Sequence, residues 1–218
     1  MINIAVASNF KAPLQTVLAD APFIDDYDVK LSAASSGILY TQIKHGAPFD
    51  IFLSADQHRP TQLVAEGLAY PHSLATYAQG VLALWQPSAN LPNHFIAIAN
   101  PRFSPYGVAS QYYLNKHFDG GYKRILANNI TQAFQYIDSG NAALGLVALS
   151  TLKWAYSKDS QVKYLQFTEL PSDKYPKIVQ KGVILKSTEH KRAAERVMDH
   201  LLSESVQQRF NQFGYKSE

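Results

Sequence analysis

Apolar positions follow two rhythms through the first third of the chain. Ile2-Asn3-Ile4-Ala5-Val6-Ala7, a second run over 29–33 and a third over 50–54 are short and apolar in the manner of buried strands. The stretches after them, about 11–20, 37–45 and 58–66, repeat at helical spacing. This alternation predicts a parallel sheet with helices on both faces. Gly46-Ala47-Pro48 supplies a stop for the second helix, and Asp56 is placed to cap the third, with Pro60 tolerated in its first turn.

The texture changes after Ala69-Tyr70-Pro71. A strand is predicted at 80–85, then a polar loop through Pro92, then a strand at 95–99. Asn100-Pro101 and Ser104-Pro105-Tyr106-Gly107 feed a helix of about 107–118. Asn128-Asn129-Ile130-Thr131 opens another of about 131–139, followed by a strand over 144–148. From Gln166 to Pro176 the chain reads as irregular, and strand texture returns at Ile178-Val179 and at 182–185. Ala193, Ala194, Val197, Met198, Leu201 and Leu202 share one face of a closing helix, suited to packing back on the first sheet. The middle of the chain is then an insertion reached by two crossings, near Tyr77–Gln79 and near Gln180–Lys181. The predicted lobes are 1–78 with 182–218, and 79–181, with a ligand cleft between them.

Composition narrows the function. The chain has 218 residues, 46% of them apolar, which is enough for one large or two small cores. Its net charge of +3 comes from dispersed Lys and Arg, so no nucleic-acid partner is expected. There is no cysteine, which excludes disulfides, thiolate metal sites and thiol nucleophiles. None of the seven histidines has metal-ligand spacing, and no apolar run approaches the ~18 residues of a membrane span. The sequence enters a strand directly after Met1, so the expectation is a cytosolic protein or one whose leader has been removed.

The candidate chemistry lies at strand-to-helix junctions. Ser8-Asn9-Phe10 and Ser35-Ser36-Gly37 are polar but uncharged. A helix start offers unpaired N–H groups and a partial positive charge, and hydroxyl and amide donors without a cation suit a small, fully ionised anion. The junctions at Tyr106 and Ile130 repeat the design. A plainer reading has Ser8, Asn9, Ser35 and Ser36 as helix caps, Tyr106 as a turn aromatic and Ile130 as core. No Gly-x-Ser-x-Gly elbow, glycine-rich phosphate loop or paired carboxylates support an enzyme.

Nearly the whole chain, from Ala5-Val6-Ala7-Ser8-Asn9-Phe10 to Phe210-Asn211-Gln212-Phe213-Gly214-Tyr215, resembles the periplasmic molybdate-binding proteins that serve ABC transporters. The most specific stretch is Ser35-Ser36-Gly37, Gln42-Ile43 and the run from Gly46 to Asp56. Asn100-Pro101, Pro105-Tyr106-Gly107 and 144–149 add support. The resemblance implies an α/β, two-lobed periplasmic-binding-protein fold of type II, each lobe a mixed sheet flanked by helices. It also implies no cofactor, molybdate or tungstate as ligand, a membrane permease as partner, a monomer, and a periplasmic location with the leader removed. Carried over, Ser8, Asn9, Ser36, Tyr106 and Ile130 would hold the oxyanion, the last two through backbone N–H groups. Many members have a ligand tyrosine where this chain has Ala148, and the Asn9 amide is expected to act in its place. The alternatives are another small anion, such as sulfate, an organic phosphate or a carboxylate, and an anion-sensing regulatory domain.

Overall fold

The computed structural model describes residues 1–88, 94–118 and 121–216. The polar loop expected through Pro92 lies partly outside them.

The chain opens with β1 (Ile2–Ala7), which passes through a 3-10 turn at Ser8–Phe10 into α1 (Lys11–Ala19). Next come β2 (Val29–Ala34), α2 (Ser36–Lys44), β3 (Ile51–Leu53), α3 (His58–Ala65) and β4 (Ala75–Gly80). A second group holds β5 (Leu82–Trp85), β6 (Phe95–Ala99), α4 (Pro105–His117), β7 (Lys123–Ala127), α5 (Ile130–Asp138), β8 (Leu144–Ala148), α6 (Leu149–Asp159) and β9 (Phe167–Glu169). The chain closes with β10 (Ile178–Ile184), α7 (Lys191–Leu202) and α8 (Glu204–Gln212).

Two five-stranded sheets result, ordered β2-β1-β3-β10-β4 and β7-β6-β8-β5-β9. In each, the first three strands are parallel and the fourth runs against its neighbours, β10 in one sheet and β5 in the other. Both sheets are therefore mixed, as the resemblance implies, and the three strands of the early alternation run parallel to one another. An antiparallel strand leaves no local sign in the sequence, because its partners lie sixty or more residues away.

The two antiparallel strands are also where the chain changes sheet. Only Val81 separates the end of β4 from the start of β5, and β10 begins beside that point, with Ile178 opposite Gly80 and Val179 opposite Gln79. The crossings thus lie at Val81 and ahead of Ile178. The boundaries expected after 78 and before 182 cut through paired strands, and Gln180–Lys181 lies inside β10, at a register shift. Both crossings fall within a few residues of Tyr77–Gln79 and Gln180–Lys181, and strand pairing carries both strands up to them.

Further elements differ from expectation. β4, β7 and β9 were not predicted, β9 lying in the stretch read as irregular, and α6 follows β8 with no intervening loop. The tail is two helices broken at Ser203, which caps the second with extended backbone. Ala193, Ala194, Val197, Met198 and Leu201 do pack against Ile2, Ile4, Ile51, Leu53 and Ile184 of the first sheet, whereas Leu202 is exposed. The other sheet is cored by Trp85, Ile96, Ile98, Leu146 and Val147 with Phe134 of α5 stacked on Trp85.

Candidate functional site

In each sheet the two strands at the parallel edge deliver a helix toward the other lobe. β1 leads to Ser8 and α1, β2 to α2, β6 to α4 and β7 to α5. Their carboxyl ends face the crevice, where open α/β sheets bind ligands. A small chamber of about 160 Å³ lies where the four starts converge, walled by Ala7, Ser8, Asn9, Ala34, Ser35, Ser36, Ala55, Ser104, Pro105, Tyr106 and Ile130. All five residues singled out from the sequence line it, and so do Ser35, the alanines and Ser104, which the site reading had left out. This space is too narrow to admit a water-sized sphere with the lobes as they stand. It is spread thinly between its walls, so a guest would hold the lobes slightly further apart.

Capping decides which N–H groups face the chamber. In α2, Gly37 N–H donates to the Phe103 carbonyl of the other lobe, and Ile38 and Leu39 donate to the Ser35 carbonyl; Ser36 N–H takes part in none of these bonds. In α4, Pro105 has no N–H, Gly107 N–H reaches Ser104 Oγ and Val108 N–H reaches the Ser104 carbonyl, which leaves that of Tyr106. In α5, Asn129 takes the N–H groups of Gln132 and Ala133 through its side chain and carbonyl, which leaves those of Ile130 and Thr131. Three helix starts thus present a donor at the position the sequence indicated.

The hydroxyls are not caps. Neither the 3-10 turn at Ser8, nor α1, nor α2 has a side-chain capping bond. Ser36 Oγ accepts from Ala55 N–H at 2.9 Å, so its own proton is free to point inward. Ser35 Oγ is buried without a partner. Asp56, by contrast, does cap α3, accepting from Arg59 N–H at 2.8 Å and pairing with the Arg59 guanidinium.

Asn9 is more constrained than its sequence suggests. Its Nδ2 donates to Gln180 Oε1 and to Tyr215 Oη, both at 3.1 Å, while Oδ1 is buried with no partner. Tyr215 donates in turn to the Asn9 carbonyl at 2.9 Å. Gln180 and Tyr215 were not read as partners of Asn9 from the sequence, since they lie 171 and 206 positions away. Ala148 ends β8 opposite Leu82, fully buried, and does not reach the chamber wall.

No wall residue carries a charge. The one titratable group is the Tyr106 phenol, and burial pushes its pKa well above the usual value, so it is neutral. Among the described residues no cluster of His, Asp or Glu could hold a metal ion. What remains is a chamber of neutral hydrogen-bond donors at converging helix starts. That arrangement can hold a small anion.

A family model described as bacterial extracellular solute-binding protein matches residues 2–216. The chain is 34% identical to the molybdate-binding protein ModA of Rhodobacter capsulatus, over 98% of this chain and 87% of that protein. It is 33% identical to ModA of Azotobacter vinelandii, over 98% of this chain and 89% of that protein. The solved structure of the Azotobacter vinelandii periplasmic molybdate-binding protein superimposes with a TM-score of 0.88 at 30% identity, covering both chains in full.

Proposed function

Because this chain belongs to the bacterial extracellular solute-binding proteins, we propose that it captures molybdate or tungstate between its two lobes and delivers it to the permease of an ABC transporter. The observation that carries the reading is the chamber itself: Ser8, Asn9, Ser36, Tyr106 and Ile130, from four helix starts in two lobes, surround one space without a charged side chain. The ModA relatives, alike over nearly their whole length, support the choice of ligand.

The chemistry follows from the ion. Molybdate carries two negative charges and only acceptor oxygens near neutral pH. Helix starts worth about +0.5 charge each would balance those two charges without a lysine or arginine, the first of them a 3-10 turn that runs into α1. Phosphate near pH 7 often keeps a proton, which would face mainly donors here. Sulfate is fully ionised and must be refused by size. The oxyanion is cargo, and no further cofactor enters the reading. One chain suffices as the working unit, loading takes place in the periplasm, and nucleic acid has no part. Closure on the ion creates the surface the permease receives.

Equilibrium dialysis with molybdate on the wild-type protein and on the Ser36→Ala/Asn9→Ala double variant tests the site. Retention by the wild type and a loss of affinity of at least tenfold in the variant are expected. Equal affinity in the two would place the ion elsewhere.

A further inference from the structure

Gln180 is fully buried on β10, at the hinge, where the strand slips register against β4. Its Oε1 lies 3.1 Å from Asn9 Nδ2 and 3.1 Å from Tyr77 Oη. Tyr77 Oη also lies 3.0 Å from the Ser54 carbonyl, so one phenolic hydrogen faces two acceptors. Three buried polar atoms in the same cluster have no partner: Asn9 Oδ1, Gln180 Nε2 and Tyr106 Oη. The last two flank Gly80. A Cβ there would lie 2.3 Å from Tyr106 Oη and 3.0 Å from Gln180 Nε2, so no more than about 5.3 Å, the sum of the two, separates them.

A carboxamide has the same shape end for end, and its hydrogen bonds decide which end is which. Turning both Asn9 and Gln180 reconciles the protons. Tyr106 Oη then faces an acceptor, Gln180 Oε1, in place of a second donor. Gln180 Nε2 donates to Asn9 Oδ1 and to Tyr77 Oη, and Tyr77 keeps its hydrogen for the Ser54 carbonyl. Tyr215 has the Asn9 carbonyl and Oδ1 as acceptors. Asn9 Nδ2 comes to stand, with its hydrogens, at the end of the side chain that no protein group satisfies, on a residue that lines the chamber.

We infer that Gln180 is a positioning residue for the oxyanion: held by the Tyr106 hydroxyl of the opposite lobe, it fixes the Asn9 carboxamide with its NH2 toward the chamber. Closure and ion binding are thereby coupled, because Tyr106 meets Gln180 across the hinge. Gln180 itself touches no ion. The inference rests on the oxyanion reading above.

The test joins a titration with a double-mutant cycle. In wild-type protein labelled with 15N, the side-chain NH2 resonances of Asn9 and Gln180 are followed as molybdate is added; both should move at one equivalent, that of Asn9 the further. Dissociation constants are then measured for Asn9→Ala, Gln180→Met and the pair. Each single change should weaken binding about tenfold, and the pair should be no weaker than Asn9→Ala alone, because Gln180 acts through Asn9. Independent, multiplying losses would overturn the inference, as would Asn9 NH2 resonances that stay still while the ion binds. The wild-type titration decides the matter should Gln180→Met fail to fold. A wild-type protein that binds no molybdate would overturn the oxyanion reading and this inference together, whereas binding with multiplying losses overturns this inference alone.

Discussion

Gly37 N–H donates to the carbonyl of Phe103 at 2.8 Å, joining the first turn of α2 in one lobe to the loop ahead of α4 in the other. The N–H of a helix's second residue has no partner inside the helix. Here its partner is the opposite lobe, so lobe closure is registered by a peptide hydrogen bond beside the chamber. Outside this bond lies a wider cleft bordered by Arg59, His58, Tyr40, Arg102 and Phe103.

Gly37→Ala should therefore act on closure. The added Cβ would stand 2.9 Å from the Phe103 carbonyl oxygen, 3.0 Å from its Cα and 3.1 Å from the Arg59 guanidinium. Two of these neighbours are backbone and give way only if the lobes part. Overpacking costs ~1–3 kcal/mol, so molybdate affinity should fall about five- to 150-fold. With the lobes apart there is no clash, so the melting temperature without molybdate should hardly change. An unaltered dissociation constant in calorimetry would mean that this contact does not form in the bound state.

Gly80→Ala probes the hinge from below. Its Cβ would meet Tyr106 Oη at 2.3 Å and Cζ at 2.8 Å. A loss of ~1–3 kcal/mol corresponds to roughly 2–12 °C in melting temperature for a domain of this size. Adding Tyr106→Phe removes the nearest atom and should restore part of the loss. A second change that deepens the loss instead would show that the hydroxyl matters more than the space.

Alkali should unfold the protein through three phenols. Tyr77, Tyr106 and Tyr215 are fully buried, and burial raises all three pKa values above the ordinary value near 10. A raised folded-state pKa means that the folded protein holds protons the unfolded chain has released. Stability is thus complete below about pH 10 and declines above it, by about 1.4 kcal/mol per pH unit for each tyrosine. Urea midpoints from pH 9 to 11 should bend downward near 10, and Tyr77→Phe should make the decline shallower. Midpoints flat to pH 11 would contradict the assignment.

The sequence disclosed the chamber better than the hinge, for a physical reason. Ser8, Ser36, Tyr106 and Ile130 sit at strand-to-helix junctions, which short-range signals such as Pro105, Asn129 and Ser104 mark in the chain. Gln180 and Tyr215 join Asn9 only through folding, and a buried glutamine in an apolar strand looks like any strand residue. The strand ends at the crossings are hidden for the same reason, since β4 and β10 are defined by pairing with each other. The inward proton of Ser36 also depends on Ala55 N–H, a contact nineteen residues away.

The most direct test is calorimetric titration of the wild-type protein with molybdate, tungstate, sulfate and phosphate at neutral pH. The account predicts one site per chain, with similar and tight affinity for molybdate and tungstate and far weaker binding of sulfate and phosphate. Tight binding of none of the four, or a preference for sulfate or phosphate, would contradict it.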